Sequence, residues 1–259
     1  MKTLKYIIAI FLCLTFISNS ALADNKSERI NWFYKTEANN TRPNILGGAL
    51  NSDDLKGALY LGPENDKTVY LTFDAGYSNE NVEKTLDVLK KHNIKAAFFI
   101  LPGIIKNSKT VVQRMIDDGH LICNHTTSHG DMSKITDIQS FENELCGVET
   151  LFEETFSHKM EKYFRPPEGA FSKTTLEFCR ELGYTPVFWS FAYADWDNGK
   201  QPDPEKAKSK ILSQLHDGMV LLLHPTSKTN ADILDSVITE IRARGYSFGT
   251  LDDLSKKLD

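Results

Sequence analysis

At 259 residues, 41% of them hydrophobic and 25% charged, the chain can build a sizeable core and is long enough for one α/β barrel or two ordinary domains. Its net charge of −5, with acids and bases interspersed and no basic stripe, sets nucleic acid aside as a partner.

The first 23 residues read as an address. Lys2 and Lys5 precede the apolar run from Tyr6 to Ile17, and Ala21-Leu22-Ala23 is a small-x-small cleavage site before Asp24. The run is short for a bilayer span, which takes about 20 apolar residues. The expectation is a leader over 1–23 and a secreted protein outside the cytoplasmic membrane, with no membrane span left after cleavage. Losing Lys2 and Lys5 takes the charge from −5 to −7, which disfavours a strongly anionic target. Cys13 leaves with the leader. The remaining Cys123, Cys146 and Cys179 can form one pair at most, so no disulfide framework is expected.

From 24 to 66 the chain is irregular, broken by N-N-T-R-P-N and G-G-A-L, and reads as an extended segment lying on a domain that runs from 67 to 259. A β/α rhythm then begins. Thr68 to Phe73 is a short β-rich run, Ser78 is placed to cap a helix with Val82, Leu86 and Leu89 on one face, and K-A-A-F-F-I-L is the next strand. A helix from Lys109 to Asp118 closes at Gly119. Further strands are expected at Leu121–Cys123, Tyr163–Arg165, Pro186–Trp189, Val220–Leu223 and Ser247–Gly249. Helices are expected at Asp137–Phe156, Thr174–Leu182 and Ala231–Arg244. Continuous apolar strands alternating with amphipathic helices predict a single deformed (β/α) barrel of about seven parallel strands, with a doubly wound open sheet as the alternative.

Chemistry in such a barrel gathers at the carboxyl ends of strands. The stretch G-H-L-I-C-N-H-T-T-S-H-G-D carries three of the seven histidines, and His125 and His129 follow the third expected strand directly. A helical turn over Asn124 to Gly130 would set them on one face, able to share one metal ion, although a bare H-x-x-x-H is weak evidence alone. Other strand ends deliver Asp74, Arg165, the Asp195-Trp196 pair and His224 to the same rim. Singly each has a bland explanation: a cap, an ion pair, a core aromatic, a satisfied loop histidine. Together they point to a hydrolase site.

These residues lie in five ordered stretches, T-F-D-A-G, H-T-T-S-H, R-P-P-E-G, A-D-W and L-L-L-H, by which the chain resembles the NodB-like polysaccharide deacetylases over about Val69 to Leu254. N-W-F-Y, Y-L-G-P, V-F-W-S-F-A-Y-A-D-W and L-L-L-H-P-T-S-K-T-N-A make it similar to the δ-lactam-biosynthetic branch of that family. The resemblance implies a deformed β/α barrel, a divalent metal such as zinc, and removal of an N-acetyl group from an amino sugar.

Physical roles follow beside that resemblance. A cation on His125 and His129 would polarise the carbonyl and acidify a water. Asp74 would take the water's proton, with Arg165 orienting it, and His224, backed by Asp195, would protonate the leaving amine. Leu222 and Trp196 would line a pocket for the acetyl methyl, and exposed aromatics such as Tyr77 or Tyr193 could stack on a sugar. The resemblance further implies that the backbone N–H of Glu168 serves the oxyanion. Two residues depart from the pattern. Ala75 stands where the family usually has a third, carboxylate ligand, so weaker metal binding is expected, and Glu168 stands where the branch usually has arginine. Three functions are compatible with this reading: a deacetylase of peptide-stripped N-acetylmuramic acid in peptidoglycan strands, leading to the muramic δ-lactam of spore cortex; an N-acetylglucosamine deacetylase of peptidoglycan or chitin; or an inactive glycan-binding protein.

Overall fold

The computed structural model describes residues 26–36, 41–45, 50 and 53–258. The expected leader and Cys13 lie outside them. Three short strands come first: β1 (Ile30–Asn31), β2 (Tyr34–Lys35) and β3 (Asn44–Ile45). The repeating part follows as β4 (Thr68–Ala75), α1 (Glu80–Lys91), β5 (Ala97–Ile100), α2 (Pro102–Asn107), α3 (Lys109–Asp117), β6 (Leu121–Asn124), α4 (Ile138–Phe156) and β7 (Glu161–Phe164). It continues through β8 (Ala170–Phe171), α5 (Lys173–Glu181), β9 (Thr185–Pro186), α6 (Pro204–Ser213), β10 (Met219–Leu223), α7 (Lys228–Ala243), β11 (Ser247–Gly249) and α8 (Leu251–Leu258).

Seven strands form one parallel sheet in the order β10-β4-β5-β6-β7-β9, with β11 added to β4. β10 pairs with Val69 to Phe73 of β4, β11 with Thr68 to Tyr70 and β5 with Thr72 to Ala75. Since Val69 and Tyr70 pair with both β10 and β11, and Thr72 and Phe73 with both β10 and β5, β11 and β5 share one edge of β4 and split its length. Among the described residues the ring is completed by isolated bridges, Leu59 to Val187, Leu61 to Met219 and Phe191 to Leu221, which makes the barrel a deformed one. The expected strand Pro186–Trp189 is accordingly reduced to Thr185–Pro186, because beyond it the chain takes its hydrogen bonds from Leu59 and then from Val220. Pairing with Leu59 is followed by a backbone contact in which Gly62 N–H donates to Gly218 O at 2.7 Å. Each of these glycines lies where a Cβ would meet the other's backbone within 2.8 Å, which is why Y-L-G-P needs its glycine.

Alternation on β4 separates two apolar layers. Val69, Leu71, Phe73 and Ala75 belong to the cluster formed with Val82, Leu86 and Leu89 of α1 and Val237, Ile238 and Ile241 of α7. Tyr70 belongs to the barrel interior with Ala97, Phe99, Cys123, Tyr163, Val187 and Val220, and Leu251 and Leu254 of α8 join them. Each fully buried Leu or Phe here stabilises the fold by about 1.5–3 kcal/mol. The helix after β4 is capped by Asn79 rather than Ser78: the Asn79 side chain accepts from Asn81 N–H at 3.0 Å, one residue later than expected. The cysteines Cys123, Cys146 and Cys179 are all free.

His120, third of the clustered histidines, lies at the opposite end of β6 from the other two. It is 7% exposed, its Nδ1 accepts from Ala96 N–H at 3.2 Å, and its Nε2 has no partner among the described residues. His216 is equally enclosed, bonded to Gln214 O and Ser190 Oγ. Burial pushes both imidazoles down to about 4. In the unfolded chain they titrate near 6.5, so below that pH the unfolded state binds more protons and stability is lost as pH falls towards 4. At pH 4 the loss is about 3 kcal/mol for each histidine. Urea unfolding at pH 7 and 4.5 should show the drop, and His120→Asn, which keeps an acceptor for Ala96 without a titrating ring, should make it smaller. An unchanged drop in that variant would remove His120 from the account.

Candidate active site

Asp74 is the next-to-last residue of β4 and, by alternation, faces the barrel interior above Thr72 and Tyr70. Its Oδ1 accepts from Arg165 Nη1 at 2.7 Å. Arg165 stands one residue past β7 and is fully buried, a position tolerable only because its guanidinium is satisfied on all sides. Nη2 donates to Thr72 Oγ1 (2.9 Å) and Phe188 O (3.3 Å), Nε donates to Val187 O (3.1 Å), and Cζ lies 4.1 Å from the centre of the Phe99 ring. Burial by itself would raise the Asp74 carboxyl. The nearby charge of Arg165, with that of His224 adding to it, more than offsets it and holds the group below the usual carboxylate range.

His125 leaves the end of β6, and its Nδ1–H donates to Arg165 O at 2.9 Å. That bond fixes the tautomer and leaves the Nε2 lone pair free, 3.7 Å from Asp74 Oδ2. Burial pushes this imidazole down to about 4, which keeps it neutral. The His129 ring stands edge-on to it, centroids 5.1 Å apart. The pairing was expected, but the expected helical turn is absent. Residues 125–130 form an irregular loop in which Thr126 (φ 73°) and His129 (φ 57°) are left-handed. Local hydrogen bonds hold this loop: Asn124 Oδ1 accepts from Thr126 N–H, Thr126 Oγ1 from His129 N–H, and Glu144 of α4 from the N–H groups of Thr127 and Ser128.

Among the described residues, no group of three or more His, Cys, Asp or Glu side chains is disposed to hold a metal ion. Ala75, at the position of the missing ligand, is packed in the outer apolar layer with Phe73 and Leu71 and contributes no donor. Two imidazoles side by side, one with its lone pair oriented by a carbonyl, do fit a divalent ion that keeps its other positions open for water and substrate.

Across the pocket His224 follows β10. Its Nδ1 is 2.8 Å from Asp195 Oδ1, and its backbone N–H donates to Asp195 Oδ2 at 2.8 Å. Burial would lower the imidazole, but the hydrogen bond and charge of Asp195, with Asp74 adding to them, raise it above its ordinary value. The two carboxylate-paired groups thus differ in character: Asp74 is held ionised beside a guanidinium, and His224 is held ready to be cationic.

Asp74, His125, His129 and His224 line one cavity of about 610 Å³, together with Leu222, Trp196, Tyr77, Glu168, Trp189 and Tyr193. Trp196 and Tyr77 are exposed on its rim, and Asn198 Nδ2 donates to the Tyr77 hydroxyl. Tyr193, named with Tyr77 as a stacking surface, is instead 8% exposed, its hydroxyl donating to Asn230. Glu168 sits in the left-handed region (φ 57°) with its carboxylate in solvent, 3.6 Å from Arg29 of the N-terminal segment. The adjoining Gly169 (φ +66°) is required there, since a Cβ would lie 2.8 Å from both Trp32 and Trp189.

A polysaccharide deacetylase family model matches residues 61–187. The chain is 40% identical over 88% of its length to the peptidoglycan-N-acetylmuramic acid deacetylase PdaA of Bacillus subtilis, covering 86% of that protein. The chain belongs to the polysaccharide deacetylase family. The solved structure of Bacillus subtilis PdaA, described as a family 4 carbohydrate esterase, superposes with a TM-score of 0.85 at 39% identity, covering 90% of this chain and 99% of that one. A peptidoglycan-N-acetylglucosamine deacetylase of Bacillus cereus is 32% identical over 74% of the chain and 70% of its own length.

Within this deacetylase Asp74, His125, His129, His224, Leu222, Trp196, Tyr77 and Glu168 line the one cavity, while Arg165 and Asp195 stand buried behind Asp74 and His224. Reasoning from sequence missed the supports: Thr72 under Arg165, Glu144 behind the histidine loop, and Asn230 behind Asp195. Only alternation on β4 pointed to Thr72; the other two come from helices distant in sequence.

Proposed function

We propose that the protein is an exported, divalent-metal-dependent enzyme that deacetylates N-acetylmuramic acid in peptidoglycan strands from which the stem peptide has been removed. The amine set free would then close onto the lactyl carboxyl as the muramic δ-lactam of spore cortex. The observation that carries an acid–base deacetylation is the placement of the Asp74–Arg165 and His224–Asp195 pairs in one pocket beside the paired rings of His125 and His129. Likeness to PdaA supports muramic acid as the sugar. An inactive glycan binder would have no use for either pair. Export rests on the sequence of residues 1–23; among the described residues no helix is long and apolar enough to cross a membrane.

His125 and His129 would hold the ion, which when bound supplies Lewis-acid polarisation of the acetyl carbonyl and of a water. Asp74 Oδ2 accepts a proton from the attacking water, while Arg165 keeps the carboxylate ionised and its Oδ1 engaged. Water oxygen bonds to the acetyl carbon, and the Glu168 N–H would donate to the acetyl oxygen, as the family resemblance implies. The C–N bond then breaks as His224 passes a proton to the leaving nitrogen, yielding acetate and the amine. Leu222 and Trp196 enclose the methyl and exclude water from it.

One observation favours N-acetylglucosamine as the sugar: among the described residues no lysine or arginine lines the cavity, whereas Glu168 does, so a lactyl carboxylate meets no side-chain cation on the described wall. Mass spectrometry of peptide-free strands, peptide-bearing strands and N-acetylglucosamine oligomers after incubation with enzyme and zinc decides between the two. Loss of 42 Da (~, one acetyl) from muramic acid of peptide-free strands alone is the expected result, and loss only from glucosamine oligomers would transfer the assignment. A chelator should abolish activity, added zinc restore it, and His129→Ala remove bound metal without unfolding the barrel. Full turnover by metal-free protein would end the metallohydrolase reading.

A further inference from the structure

We propose that Asn230 is a positioning residue for the general acid, holding the Asp195 carboxylate in the orientation in which it meets the His224 imidazole, and that Tyr193 in turn sets the Asn230 amide. The inference rests on the reading of His224 as proton donor. Asn230 stands in the first turn of α7 and is 1% exposed. Its backbone N–H is taken by the Ser227 cap, so the side chain has no capping duty. Nδ2 donates to Asp195 Oδ2 at 2.6 Å and to His224 O at 3.1 Å, and Oδ1 accepts the hydroxyl proton of Tyr193.

The orientation of this amide is forced. The carboxylate and the carbonyl are both acceptors, which only the NH2 end can serve, and a phenol facing the other end supplies the proton that Oδ1 needs. Asn230 therefore bonds both members of the pair at once, the side chain of Asp195 and the main chain of His224. Asp195 is itself 1% exposed, with Oδ1 turned to His224 Nδ1 and Oδ2 held by His224 N–H and Asn230. Without the amide, Oδ2 keeps one donor, and the carboxylate is free to turn while water fills the gap. The charged groups acting on His224 are Asp195, from the loop after β9, Asp74 on β4 and Arg165 after β7. Asn230 orients Asp195 without adding a charge to that set.

Four variants test this: Asn230→Ala, Tyr193→Phe, Asp195→Asn, and Asn230→Ala combined with Asp195→Asn. Each is followed by kcat, KM, the pH profile and NMR titration of the His224 imidazole, which needs no substrate. Asn230→Ala should lower kcat about tenfold, part of the ~10²-fold that a general acid supplies, with KM within about twofold. The His224 titration should move to lower pH, and Tyr193→Phe should move it the same way by less. The double variant should be no slower than Asp195→Asn alone, since both changes disable one device. An unmoved His224 titration, or losses that multiply in the double variant, would overturn the proposal. If Asp195→Asn itself kept wild-type turnover, the general-acid reading would fall instead.

Discussion

Asp74→Asn is expected to fold and to lose at least ~10²-fold in kcat, the contribution typical of a general base. Asparagine keeps the shape of the aspartate and can still offer an oxygen to Arg165 Nη1. The guanidinium retains Thr72 and the carbonyls of Val187 and Phe188, so the barrel has no reason to open. What disappears is an anion that can take a proton. Because Arg165 and His224 hold Asp74 below the usual carboxylate range, the wild-type base is ionised at neutral pH, and its acid limb should appear only below that range. His224→Ala should cost a similar factor and remove the limb at higher pH, where the raised imidazole loses its proton. Steady-state kinetics with circular dichroism as the folding control checks both. Wild-type turnover by Asp74→Asn would send the search for the base elsewhere.

Arg165→Ala should be the most destabilising single change in the pocket. The side chain is wholly buried and answers one carboxylate, one hydroxyl and two carbonyls. Its removal leaves Asp74 as an uncompensated buried charge, a defect of about 3–5 kcal/mol against a typical total of 5–15 kcal/mol. The carboxyl then gains a proton instead, so activity should fail together with stability. Arg165→Lys should not rescue it, since an ammonium cannot address acceptors spread around a planar fork. Urea unfolding of the three proteins tests this, and a loss below about 1 kcal/mol for Arg165→Ala would contradict the role given to the ion pair.

Much of this was legible in the sequence because a parallel barrel writes its strands as apolar runs and puts chemistry where they end. β11 falls on the expected residues, and β4, β5, β6 and β10 lie within two residues of theirs. Other elements were hidden for identifiable reasons. In α6, P-E-K-A-K-S-K-I-L-S buries only Ala207, Ile211 and Leu212, and its lysines mask the period. The spacing of His125 and His129 foretold their proximity through the wrong geometry. Nothing in H-T-T-S-H announces two left-handed residues, whose backbone is stabilised by Asn124 and by Glu144, the latter from another element. Asn230 was invisible because its value lies in what the start of α7 meets across the pocket.

The sealing of the barrel floor by α8 bears on how the chain reaches its native state. Leu251 and Leu254 complete the interior layer, Lys257 reaches Asp66 and the hydroxyl of Tyr70, and Asp252 accepts from Tyr163. β4, the central strand, meets partners 149 and 179 residues away, so its two edges cannot both be satisfied until nearly the whole chain is available. Such contact order makes for slow, late closure. A chain cut before α8 would present Tyr70 and Tyr163 to solvent from below while its catalytic rim was still intact in sequence. Loss of the last turn should therefore register as sluggish refolding and aggregation before it registers as a change in chemistry.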